Sequence, residues 1–138
     1  MQDIKQLTRN LGAALQLAPE YVRFVAAQET NDADEALGEQ MRELELLRMQ
    51  YRHEAAKQDG VDSDLMEAYN VQFEALYGQI MDNENMREYQ AAGEALNALV
   101  TWISGLLQGC AQGEDPMSFE PKAAGCGGDC GGCSGCAN

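Results

Sequence analysis

Residues 66–80 read MEAYNVQFEALYGQI, and Met66, Tyr69, Phe73, Leu76 and Ile80 recur in it at spacings of three, four, three and four. That is the heptad period of a helix that buries one seam against another helix, whereas a half-buried strand would alternate every second residue. Asp62 or Ser63 is suited to start this helix, and Asp82 and Asn83 to break it.

The same period continues on both sides. Downstream, Met86, Tyr89, Gly93, Leu96, Val100, Ile103 and Leu107 alternate three and four apart. They predict a helix of about 25 residues, roughly 38 Å long. Upstream, Leu37, Met41, Leu44, Leu47 or Arg48, Tyr51 and Ala55 predict a helix running to about Gln58, where Asp59-Gly60 stops it. Asn31 or Asp32 is the expected cap, with Asp34 and Glu35 favourable at the positive helix end. Nearer the N-terminus, Ile4, Leu7, Leu11 and Leu15 mark one buried stripe on a helix over residues 3–17, capped by Asp3. Pro19 fits the first turn of a short second helix carrying Tyr21, Phe24, Val25 and Ala27 or Gln28, which the polar run Thr30 to Asp34 interrupts.

Short loops between patterned helices imply antiparallel neighbours. The expected fold is therefore all-α, an antiparallel bundle of about five helices with two long ones, followed by a flexible Gly/Cys-rich tail. The boundary falls at Gly109-Cys110, giving a helical domain over 1–109 and a tail over 110–138. Seven of the 14 glycines and all five cysteines lie in the last 29 residues. Leu46, Met49, Leu99, Trp102 and Leu106 widen the apolar face beyond one seam, so a second helical partner is expected, most simply another copy. There is also a weak internal echo. Residues 20–29, EYVRFVAAQE, align without gaps to residues 85–94, NMREYQAAGE, each with an aromatic two residues before an Ala-Ala pair.

Charge and composition exclude several functions. Over 138 residues, 9 Lys and Arg against 23 Asp and Glu give a net charge of −14. Phosphate backbones and anionic lipid both need clustered cations, so direct nucleic-acid or membrane binding is disfavoured. No apolar run approaches the ~18 residues of a membrane span, and MQDIKQLTRN does not have the layout of a secretory signal. A cytoplasmic location is expected. The single histidine, His53, lies off the seam and reads as a solvated surface group. No P-loop or dinucleotide fingerprint occurs, and Glu39, Glu43 and Glu54 read as surface partners for arginines. An enzyme is not expected.

The chemistry lies in the tail. Cys126, Cys130, Cys133 and Cys136 follow a C-x3-C-x2-C-x2-C pattern with glycine between them. Four soft thiolates this close call for a metal or for oxidation, and glycine removes side-chain obstruction around a compact centre. A cytoplasmic setting disfavours permanent disulfides. Structural zinc usually takes two Cys pairs separated by a longer loop, whereas this run is closer to ferredoxin-type iron–sulfur spacing in reverse order. Iron–sulfur is the leading reading, with zinc and an unmetallated redox tail as alternatives. Cys110 is a spare ligand or an ordinary thiol. Cys126, Cys130 and Cys133 also match the triplet of radical enzymes that use S-adenosylmethionine, but the barrel that carries that triplet does not fit here.

Pro19-Glu20-Tyr21-Val22-Arg23-Phe24, the long helix with Leu37, Met41 and Leu44, and Asn83-Glu84-Asn85-Met86-Arg87-Glu88-Tyr89 together resemble the YlbF/YmcA family of small bacterial helical regulators, over roughly residues 3–108. The Gly/Cys C-terminus is similar to tails on some clostridial-type members. The resemblance implies a self-associating all-α bundle. It also implies a cytoplasmic adaptor that forms a homodimer or a hetero-oligomer with related helical proteins. In the family such a complex carries 4Fe–4S clusters and modulates an endoribonuclease, RNase Y, and so affects messenger-RNA processing, competence, sporulation and biofilm formation. Carried over residue by residue, it assigns a metal role only to Cys126, Cys130, Cys133 and Cys136. Two other readings stand beside the adaptor. One is a metal-handling or thiol-redox carrier that uses the tail, and the other a purely structural helical interaction protein.

Overall fold

The computed structural model describes residues 3–122. Five helices follow one another: α1 Ile4–Leu15, α2 Pro19–Ala33, α3 Glu35–Ala55, α4 Ser63–Asp82 and α5 Glu84–Ala111. No strand occurs among the described residues, and the chain is an all-α helical bundle. The described chain divides into two compact units, one ending at Leu96 and one beginning at Asn97.

In the first unit, α2 and α3 are separated by a single residue, Asp34, and α4 and α5 by a single residue, Asn83. Both have extended backbone, with φ/ψ of −76°/96° and −65°/130°. Cross-arm partners run in opposite directions. Asp34 meets Asn83, Arg48 lies over Phe73, and the side chain of Glu54 meets the backbone of Asp62. The two kinked arms are therefore antiparallel, with α3 zipped to α4. Leu37, Leu47, Leu76, Ile80 and Met86 form the core cluster, flanked by Leu44, Tyr69, Met81 and Tyr89.

The α4 seam is as expected, with Leu76 and Ile80 buried and Met66, Tyr69 and Phe73 half-buried. The α3 seam differs in detail. Met41 is 46% exposed and Ala55 is in solvent, while Gln40 is half-buried and Glu54 is only 4% exposed. The true seam is Leu37, Gln40, Leu44, Leu47, Tyr51 and Glu54, which keeps the heptad spacing by accepting two polar residues. Glu54 is thus not a surface partner. Its Oε1 accepts from the backbone N–H of Asp62 at 2.8 Å, and its Oε2 pairs with Lys57 Nζ at 2.6 Å. It ties the end of α3 to the start of α4, around a turn in which Gly60 takes φ of +73°.

The cap between α2 and α3 is Asp34, not Asn31 or Asp32. Helix α2 continues to Ala33, with Thr30 Oγ1 donating to the Ala26 carbonyl within the helix, and the polar run breaks it only at its last residue, Asp34. The first helix also departs from expectation. It forms, and Asp3 accepts from the Lys5 N–H at 3.0 Å. However, its stripe is not buried, since Ile4 is 73%, Leu7 42% and Leu11 40% exposed.

Candidate functional site

The two single-residue breaks are one hydrogen-bonded unit. Asp34 Oδ1 accepts from the Leu37 N–H, and its Oδ2 accepts from Asn83 Nδ2 at 3.1 Å and Asn85 Nδ2 at 3.0 Å. Asn83 Oδ1 in turn accepts from the N–H groups of Asn85 and Met86. Each break therefore caps the helix that follows it, and the two caps bind each other, so one kink fixes the position of the other. Asn31 Oδ1 in the last turn of α2 is buried without a hydrogen-bond partner.

Beyond the kinks, α2 faces the first turns of α5. Phe24 and Tyr89 lie with ring centroids 5.5 Å apart. Ala27 and Ala92 are buried, and a Cβ added at Gly93 would lie 3.5 Å from the Phe24 ring. These are the residues of the internal echo, which is a packing device: small side chains let the arms approach while the aromatics fill the flanks. Arg23 and Glu88 close the outer edge, with Nε 2.7 Å from Oε1 and Nη2 3.0 Å from Oε2. Hydrogen bonding and charge from Glu88 raise the Arg23 pKa, and Arg23 holds the Glu88 carboxyl below its usual range. Both side chains are about half in water, so the pair contributes orientation more than stability.

Three further carboxyls are held in their charged forms. Asp34 is lowered first by the Leu37 N–H and then by Asn83 and Asn85. Glu54 is lowered first by Lys57 and then by the Asp62 N–H. Asp115 is lowered by the Met117 N–H and by Ser118. A carboxyl that binds its proton more weakly when folded contributes stability above its unfolded pKa of about 4. That contribution is lost as pH falls through the lower folded value. The stability difference between the native chain and Asp34→Asn is therefore expected to be constant above about pH 5 and to shrink below about pH 4. Urea midpoints of both proteins across that range provide the check, and a difference independent of pH would count against Asp34 as an anionic cap.

In the second unit the chain reverses after α5. Gly113 takes φ of +98°, and Asp115 closes a turn by accepting from the Met117 N–H and Ser118 Oγ. The returning segment lies along the helix it has just left. A Cβ at Gly105 would come 2.9 Å from Pro121 Cβ, and one at Gly109 would come 2.7 Å from Phe119 Cδ1. Glycine at these two positions, one turn apart, is what admits the ring and the proline. Cys110 is a free, half-buried thiol in the last turn of α5. This foldback was not legible from the Gly/Cys composition.

The four cysteines assigned a metal role, Cys126, Cys130, Cys133 and Cys136, lie outside the described residues. Among the described residues no group of three or more His, Cys, Asp or Glu is placed to hold a metal. No described helix is long and apolar enough to cross a membrane. His53 is exposed on α3, as expected.

Comparison of the chain with curated proteins and with solved structures finds no match. Residues 4–109 match the family described as "Control of competence regulator ComK, YlbF/YmcA". The match runs from the first residue of α1 into the last turn of α5 and takes in both arms and their coupled kinks. The chain therefore belongs to the YlbF/YmcA family, whose members are regulators in the control of competence.

Proposed function

We propose that this chain is a non-catalytic, cytoplasmic regulatory adaptor that works through protein–protein contacts along its helical arms. The observation that carries the reading is the apolar surface the arms leave in solvent. Leu46, Met49, Val71 and Trp102 are exposed large apolar residues, the expected α5 seam positions Val100 and Leu107 are exposed as well, and α1 adds a stripe of its own. Apolar area of this kind marks interaction surfaces. In this reading the chain self-associates or joins related helical proteins, and the complex modulates RNase Y-dependent messenger-RNA processing. A surplus of acidic residues fits an adaptor acting on a protein better than one gripping RNA.

The second component is a 4Fe–4S cluster held by Cys126, Cys130, Cys133 and Cys136, with zinc as the alternative ion. The donor set supports it: four thiolates in a short glycine-spaced run are soft, charged ligands suited to iron–sulfur ligation. A bound cluster would make the tail responsive to iron or redox state, and its loss would alter partner affinity.

Anaerobic purification followed by iron and acid-labile sulfide analysis tests the cluster. The expected result is a brown protein with both elements, and a colourless, iron-free variant when all four cysteines become serine. Zinc without sulfide would favour the metal-handling reading. An iron-free native protein indistinguishable from the serine variant would end the sensor claim. Pull-down of RNase Y from native lysate tests the adaptor half, and full partner binding after truncation at Gly109 would reduce the protein to its helical scaffold.

A further inference from the structure

The first helix is amphipathic, and its apolar side has no cover. Ile4, Leu7 and Leu11 share one face of α1, yet each is at least 40% exposed and no residue of α1 is buried. A groove between α3 and α4 has the matching need. Leu47, Tyr51, Tyr69 and Phe73 line it, with Arg48 stacked 5.6 Å over the Phe73 ring and Asn70 at the edge. Tyrosine and arginine on an apolar floor are the residue types that dominate binding at interfaces.

Charge selects which helix fits. Helix α1 carries Lys5 and Arg9 and no acidic residue, a balance of 2 − 0 = +2. Helix α4 carries Asp64, Glu67, Glu74 and Asp82 and no basic residue, a balance of 0 − 4 = −4. The other three helices are also net acidic, each with more Asp and Glu than Lys and Arg. Two chains of −14 repel each other, and α1 is the one helix of opposite sign among the described residues. Its own chain does not place it in the groove, because the stripe stands in solvent. The arm from Pro19 to Leu47 follows about 42 Å of helical path, while α1 and its three-residue linker extend about 28 Å.

We propose that α1 of one copy lies in the α3–α4 groove of a second copy, and that the exchange is reciprocal. The inference rests on the self-association reading above and names the element that mediates it. Reciprocal docking buries both stripes and both grooves and closes the assembly at two copies. Lys5 and Arg9 are then brought against net-acidic α4, where Glu74 follows Phe73 in the chain, and towards Glu45 of α3, which pairs with the groove's Arg48 at 3.4 Å.

Sedimentation of the full chain, paired with zero-length carbodiimide crosslinking of mixed light- and heavy-isotope protein, tests it. The native chain is expected to be a dimer. The Leu7→Asp/Leu11→Asp variant is expected to keep its helicity, since α1 buries nothing in its own chain. It should lose dimer affinity by about a hundredfold or more. Mixed-isotope links should join Lys5 to Glu45 or Glu74. A monomeric native chain overturns the self-association reading together with this one. A native dimer that survives the double variant unchanged overturns only the α1 docking. A dimer whose Lys5 links stay within one chain, or run to carboxylates of α2 or α5, does the same.

Discussion

Leu37→Ala is expected to lower the unfolding free energy by about 3 kcal/mol, within the 2–5 kcal/mol seen when buried leucines are cut to alanine. Leu37 is 1% exposed and is the largest fully buried side chain among the described residues. It sits three residues past Asp34, so its backbone N–H is the donor that the cap receives while its side chain fills the core beside Leu76 and Ile80. Neighbours held at one end by the coupled kinks and at the other by Glu54 on Asp62 and Lys57 cannot collapse into the space, and the cavity remains. For a chain of this size the melting temperature should drop by roughly 10 °C. Thermal unfolding followed by circular dichroism measures it. A shift of only a degree or two would mean that the arms slide to refill the site, and that the kinks do not fix their register. Met41→Ala, on the same helix but 46% exposed, serves as the control and should change stability little.

The contrast between those two leucine-like positions shows what the sequence could and could not disclose. Apolar periodicity, with Pro19 marking the start of the second helix, located all five helices, because that periodicity reflects burial and burial is what stabilises a helix in a bundle. It placed Met41 on the α3 seam and Glu54 on the surface because it weighs hydrophobicity and not partners. Glu54 is buried since Lys57 and the Asp62 N–H satisfy both carboxylate oxygens, and neither partner is visible in a periodic pattern. The stripe of α1 was legible as a stripe, but a pattern cannot say which chain will cover it. Phe119 and Pro121 returning onto Gly109 and Gly105 were missed for a related reason. Glycine in a helix registers as a weakness until the side chain that needs the space is known.

The candidate metal centre is the opposite case. The residues proposed as its ligands stand out in the sequence, as cysteines at close and regular spacing, because thiolate chemistry depends on residue type and not on packing. Cys126 to Cys136 also lie beyond the stretch that identifies the family, which ends at residue 109. The helical arms and the cysteines are thus separable pieces of evidence. The arms carry the argument for protein partners, and the cysteines alone carry the argument for a cluster. Iron analysis can fail without weakening the first, and a monomeric native chain can weaken the first without touching the second.

Asn83→Ala is expected to cost about 1–2 kcal/mol as a lost helix cap. Its effect should also spread beyond its own helix. The side chain accepts from the N–H groups of Asn85 and Met86, so its removal uncaps α5. It also donates to Asp34 Oδ2, so its removal takes a partner from the cap of α3 on the other arm. Asn85 still donates to the same oxygen, which leaves Asp34 partly satisfied and keeps the loss below that of a fully orphaned group. A double-mutant cycle with Asp34→Ala separates the two contributions. If each residue caps only its own helix, the single changes add. If the caps are one unit, the double variant is less destabilised than the sum, because the first change has already removed the contact that the second would break. Amide hydrogen exchange gives the spatial readout. In Asn83→Ala, protection should fall at the start of α3 around Leu37 as well as at the start of α5 around Met86. Loss confined to α5 would show that the kinks act independently, and the alignment of the antiparallel arms would then rest on the Leu37–Ile80 core, the Phe24–Tyr89 contact and the Glu54 link to Asp62.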